Sequence, residues 1–127
     1  MKWLCLWFGV CSAITGNASV HDGDTLAIKG TSFRLSGLDA EELSEPNGYR
    51  ARNALIKLIG SNVVSCYPTG EKSHNRMVAI CKVNDSDLAA DMVRQGFALD
   101  CARYSKGRYA PLEPADIRRS LRAKPYC

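Results

Sequence analysis

Sulfur and imidazole arranged for metal binding are scarce in this chain. The only histidines are His21 and His74, and no C-x-x-C pair occurs, so a zinc site is not expected. No stretch follows the EF-hand pattern. D-G-D-T-L-A at 22–27 lacks the third acid and the glycine that such a loop requires. Long apolar runs are missing too. The one near the start, inside M-K-W-L-C-L-W-F-G-V-C-S-A, is too short to anchor the chain across a bilayer. Internal repeats, low-complexity tracts and domain linkers are absent. The 127 residues, 46% hydrophobic and 24% charged, are therefore expected to form one ordinary domain with one core.

The same opening segment carries one positive charge, then an apolar run, then small residues. This layout predicts a secretory signal over 1–13, with cleavage after Ala13 and a mature domain over 14–127. An unusual N-terminal strand or a retained hydrophobic lead is the alternative. Cysteine usage agrees with export. Cys5 and Cys11 fall in the signal, which leaves Cys66, Cys81, Cys101 and Cys127. Four cysteines allow three pairings. Cys66 and Cys81 flank a predicted hairpin almost symmetrically and are expected to bridge it. Cys101 and Cys127 would then tie the chain end to the body. Four free thiols in a reducing compartment are the other reading.

The chain is organised around Val20–Glu42, which holds five carboxylates and one arginine among alternating apolar residues. Asp22 and Asp24 flank Gly23 in a turn signal. Leu26 and Ile28, then Phe33, Leu35 and Leu38, mark two strands joined at Lys29–Ser32. Arg34 lies between two apolar residues and points to the opposite face. The hairpin brings the Asp22–Asp24 turn beside Asp39–Glu42. Converging carboxylates need a cation, and a hard divalent one suits them. Arg34 beside them suggests an anion bridging metal and guanidinium, as a phosphodiester does. D-G-D alone would be read as a solvated acidic turn. Arg34, Asp39 and Glu42 at hairpin spacing reverse that preference.

Formal net charge is +4, with eight basic residues against three acidic from Arg94 onwards. A basic end beside an acidic pocket suits a polyanion. In chain order we predict strands over 14–20, 25–29, 31–38, 62–67 and 77–83. A helix is predicted over 49–59, with Ala51, Ala54, Leu55, Leu58 and Ile59 as its apolar stripe. A second follows over 87–95, N-capped within Asn84–Ser86. A third opens at Pro111 or Pro114. Residues 68–76 are predicted as a polar hairpin loop and 104–109 as another loop. Five short strands with a helix between the third and fourth suggest a small closed barrel of the oligonucleotide-binding type, in the α+β class.

Four separated motifs carry a resemblance: D-G-D-T-L at 22–26, F-R-L-S-G-L-D-A-E-E at 33–42, H-N-R-M-V-A at 74–79 and D-L-A-A-D-M-V-R-Q-G-F-A at 87–98. In order and spacing they resemble the thermonuclease (staphylococcal nuclease-like) family, over Ile14 to about Leu121. The resemblance implies a five-stranded oligonucleotide-binding barrel with three helices. It implies a calcium-dependent endonuclease acting on DNA and RNA with little sequence preference and leaving 3′-phosphates. By position, Asp24, Asp39 and the backbone carbonyl of Ala40 correspond to calcium ligands, with Asp22 steadying them. Arg34 and Arg76 correspond to the phosphate-gripping arginines, and Glu42 to the general base. Tyr104 and His74 fall near the bound nucleotide. A secreted or periplasmic monomer without a membrane anchor is expected. Two departures stand out. Glu41 replaces the usual proline, which threatens to shift Glu42 or alter cation affinity. H-N-R replaces Y-G-R, leaving Asn75 to take the glycine's left-handed conformation. The rival from another class is a non-catalytic module binding nucleic acid or protein. A purely structural calcium domain is a third reading, which the missing EF-hand pattern disfavours.

Overall fold

The computed structural model describes residues 12–127. The signal segment expected over 1–13 lies, as far as Cys11, outside the described residues. No described helix is long and apolar enough to cross a membrane.

Strands β1 (Ile14–Gly16), β2 (Ala18–Asp22), β3 (Thr25–Ile28) and β4 (Thr31–Leu35) come first, then the short β5 (Leu38–Asp39). Helix α1 (Gly48–Ile59) leads to the long hairpin of β6 (Val64–Ser73) and β7 (Arg76–Val83). After β8 (Ser86–Asp87) come α2 (Leu88–Arg94), β9 (Leu99–Asp100) and α3 (Ala102–Ser105). A 3-10 turn (Ala110–Leu112) and α4 (Ile117–Ser120) end the order. The main sheet runs β1-β6-β7-β4-β3-β2, with β8 paired to β7, and β5-β9 forms a second, two-stranded sheet.

The class is α+β, as expected, but the strand path is open rather than a closed five-stranded barrel. Two expected strands are interrupted. The first divides at Asn17, and the third divides at Ser36–Gly37, where Gly37 has φ +75°. That turn sends β5 out of the main sheet to pair with β9, Asp39 opposite Leu99. A left-handed residue there has little steric cost only as glycine. β4 and β7 pair in parallel, Arg34 beside Val78. This pairing, reached through α1 and β6, brings the second and third motifs together.

The hairpin also extends further than expected. Pro68–Ser73 is strand rather than loop, resuming beyond an irregularity with Lys72 opposite Met77. Its side chains are largely exposed, so no buried face left an alternation to read. The disulfide Cys66–Cys81 joins directly opposed residues of this hairpin, and Cys101–Cys127 closes the tail. Both expected pairings are present.

Helix α1 buries Ala51, Ala54, Leu55 and Ile59 against a core that includes Leu26, Ile28, Phe33, Leu35 and Met92. At α2 the cap is Asp87, whose carboxylate accepts from Ala89 N at 2.9 Å. Asn84 and Asp85 both have positive φ. They form the tight turn between β7 and β8 instead of the cap, a use that suits Asn and Asp. The last predicted helix is divided by Pro114. Glu113, just before it, is extended (φ −64°, ψ 130°), as a residue preceding proline prefers.

Candidate active site

The acidic turn is set by a close approach. A Cβ at Gly23 would lie 2.6 Å from the Ala51 methyl and 2.9 Å from that of Ala40. Only glycine lets the Asp22–Asp24 turn rest on both α1 and the segment after β5. Asp22 Oδ1 accepts from Asp24 N at 3.1 Å and holds the turn. Asp24 is thereby buried at the head of β3, next in sequence to Thr25.

Cross-strand register does the next step. Thr25 pairs with Arg34, and Arg34 Nη2 donates to Asp24 Oδ2 at 3.4 Å and to Leu38 O at 3.5 Å. Arg76, the first residue of β7, donates through Nη1 to Thr25 Oγ1 at 2.7 Å. Its other contacts are Ser73 O and Ser73 Oγ. The Thr25 hydroxyl in turn donates to Asp24 Oδ1 at 2.9 Å. One hydroxyl and one carboxylate thus connect both arginines. The sequence does not mark Thr25, since a threonine in a strand carries no signal beyond β propensity.

Burial raises the pKa of Asp24 from 3.8 to about 7, with Arg34 opposing and Asp22 assisting the shift. A group so poised loses its proton readily to a bound cation.

Glu42 is exposed. Its backbone is fixed by its N–H to Glu45 Oε1 at 2.7 Å and by Gly48. A methyl group at Gly48 would overlap the Glu42 carbonyl oxygen. Glu41, in place of the usual proline, takes an unforeseen part in the fold. Its side chain turns inward, where it is 6% exposed. It accepts from Asn47 N at 3.1 Å, Asn47 Nδ2 at 2.8 Å and Arg122 N at 3.5 Å. A carboxylate that ties together the 42–47 loop and the tail takes over the place of a rigid bend.

Asp24, Arg34, Glu42 and Arg76 line one cavity of about 400 Å³, together with Asp22, His74 and Tyr104. Tyr126 and Lys124, neither anticipated, enter the same cavity from the tail. At the H-N-R turn the left-handed residue is His74 (φ 57°), not Asn75. The turn therefore tolerates the loss of glycine at 75 without strain at that position.

Asp39 and Ala40 do not line the cavity. Lys124 stands in front of them. Its backbone N donates to Asp39 Oδ2 at 2.7 Å, and its Nζ lies 3.1 Å from Asp39 Oδ1 and 3.0 Å from Ala40 O. Burial opposes the Lys124 ammonium, but Asp39 and then Glu45 outweigh it and leave its pKa above the usual 10.5. Among the described residues no three acidic, histidine or cysteine side chains converge as a ready metal cage. Two carboxylates and a carbonyl are nonetheless hard oxygen donors of the kind calcium takes, and the ammonium is a stand-in cation on two of the three.

Residues 32–117 match the family described as staphylococcal nuclease homologue. A probable staphylococcal-like nuclease of Oryza sativa is 35% identical over 88 residues, covering 69% of this chain and 23% of that protein. The succinoglycan biosynthesis protein ExoI of Rhizobium meliloti is 31% identical over 114 residues, covering 80% of this chain and 60% of that one. An uncharacterized endonuclease of Haemophilus influenzae is 29% identical over 91 residues, covering 68% and 51%. The chain spans less than two thirds of each of these relatives. The match to the family extends from β4 through the β6–β7 hairpin, α2 and β9 to the start of α4, and so takes in Arg34, Asp39, Glu42, Arg76 and Tyr104. This chain belongs to the staphylococcal nuclease homologue family.

Proposed function

We propose that the chain is a calcium-dependent endonuclease that hydrolyses DNA and RNA phosphodiester bonds with little sequence preference. The observation that carries this reading is the single cavity lined by Arg34, Arg76, Glu42 and Asp24. Two guanidinium groups linked through Thr25 and Asp24 suit the equatorial oxygens of an attacked phosphate. Charge grows there in the transition state, so such donors favour it over the ground state. Phosphate contacts carry no base information, which fits low sequence preference.

In this reading the Glu42 carboxylate takes a proton from the attacking water. The water oxygen bonds to phosphorus as the bond to the 5′-oxygen breaks. That oxygen gains a proton from solvent, and a 3′-phosphate end remains. Asp24, Asp39 and the Ala40 carbonyl would hold calcium. When bound, the cation would supply Lewis-acid polarisation of a phosphoryl oxygen. Tyr104, at the cavity rim and 44% exposed, offers a face for a base. Two disulfides among the described residues support an oxidising compartment, secreted or periplasmic, and we propose a monomer.

A second reading has one specific observation in its favour. Lys124 already neutralises Asp39, and an arginine-lined cavity without bound metal would hold phosphate without cleaving it. Hydrolysis of plasmid and of single-stranded DNA and RNA, with calcium or with chelator, decides between them. The nuclease reading expects cleavage only with calcium. It also expects a loss of about 10²–10⁴ in Glu42→Gln. Binding without hydrolysis under all conditions would leave the non-catalytic module.

A further inference from the structure

The cation resting on Asp39 and Ala40 belongs to the chain itself. Lys124 Nζ reaches Asp39 Oδ1 and Ala40 O at 3.1 and 3.0 Å, and Glu45 Oε1 at 3.4 Å. Three oxygens match the three N–H donors of an ammonium. This is no loose surface pair. The Lys124 and Asp39 side chains are 16% and 1% exposed, and removing one partner would leave a buried charge uncompensated.

The ammonium is also held there by its backbone. Lys124 N donates to Asp39 Oδ2, and Glu41 accepts from Arg122 N. The Cys101–Cys127 disulfide fastens the tail next to β9, the strand paired with the one carrying Asp39. Such fastening gives the lysine a high effective concentration at its oxygens.

We propose that Lys124 is a tethered competitor for the divalent cation. Calcium must displace the ammonium from Asp39 and Ala40 before it can use them. The resident lysine thus sets the calcium concentration at which the site fills. This deepens the nuclease reading above and rests on its calcium ligands.

The test is calcium binding by the full chain without nucleic acid, measured by titration calorimetry and by melting temperature. Lys124→Met keeps the backbone N–H and most of the stem but removes the ammonium. Lys72→Met removes a charge that lines the same cavity and serves as control. Lys124→Met should tighten the calcium Kd by about tenfold or more, and Lys72→Met by less than about threefold. Without calcium, Lys124→Met should melt lower than wild type. With calcium it should recover more than wild type gains, because the ion replaces the lost charge. Kd values for Lys124→Met and wild type within about threefold of each other would overturn the competition and leave the calcium reading standing. An equal gain in Lys72→Met would overturn it too, by reducing the effect to bulk charge. Calcium binding to neither wild type nor Lys124→Met would overturn the calcium reading, and the competition with it.

Discussion

The cavity has two walls built on different principles. The sheet wall carries Arg34 and Arg76 on β4 and β7, with Asp24 at the head of β3, and Thr25 on β3 links Arg76 to Asp24. Ladder register holds these residues, Thr25 opposite Arg34 and Arg34 beside Val78. The tail wall carries Lys124 and Tyr126 on irregular chain. A disulfide and the carboxylates of Asp39, Glu41 and Glu45 hold them. A ladder fixes many residues at once, so one lost contact moves little. A tail held by a few strong contacts releases as a unit when one fails. Arginine geometry here is therefore a property of the sheet, whereas access to Asp39 is a property of the tail.

Four measurements test that contrast. The largest effect is expected on the sheet wall. Arg34→Lys keeps the charge but loses the planar fork, so cleavage should fall by about 10²–10³ while circular dichroism stays native. Activity within a few-fold of wild type would remove the fork from the chemistry.

The pH dependence of stability should separate the walls next. Asp24 has its pKa raised from 3.8 to about 7, so the folded state holds a proton that the unfolded chain releases. Its stabilising contribution is complete below pH 3.8 and is lost as pH rises through about 7. Lys124 also has a raised pKa, from the ordinary 10.5. Its contribution stays complete below that value and is lost only above it. Calcium-free protein should therefore lose melting temperature between mildly acidic and neutral pH, through Asp24 on the sheet wall. Asp24→Asn should flatten that limb, and an unchanged slope would take Asp24 out of the account.

On the tail wall, replacing Cys101 and Cys127 by alanine should cost about 2–4 kcal/mol in denaturant unfolding. It should also raise proteolysis of the segment after Leu121 well before the sheet opens. Uniform protection across both walls would contradict the separation. The smallest effect belongs to Glu41→Gln, which leaves one acceptor for the N–H groups of Asn47 and Arg122. A loss of about 1–2 kcal/mol is expected, with the 42–47 loop and the tail loosened together. No change in either would make Glu41 a bystander.

Much of the sheet wall was legible in the residues. Leu26, Ile28, Phe33 and Leu35 alternate, and that alternation sets which way Arg34 points. Gly23 and the flanking aspartates marked the turn, and the symmetric cysteines marked the β6–β7 pairing. The stripe Ala51, Ala54, Leu55 and Ile59 gave α1 to within one residue. The misses share a cause. Lys124 meets Asp39 across 85 positions, and Glu41 meets Arg122 across 81. Neither Lys124 nor Arg122 lies on an element with a period to read. The open sheet path depends on Gly37 turning β5 away from β4, a backbone event to which side-chain alternation is blind. The extra length of β6 lies in exposed polar residues that resemble a loop in composition.

The amino-acid order alone determined which groups the molecule possesses and on which face of each strand or helix they stand, because those follow from local periods of two and 3.6 residues. The tertiary structure alone decided which of those groups share a charge. It joined Arg76 to Asp24 through a threonine and put a lysine ammonium against the oxygens of Asp39 and Ala40. Electrostatic pairing depends on distance in space and on burial, and neither is written in the spacing of residues along a chain.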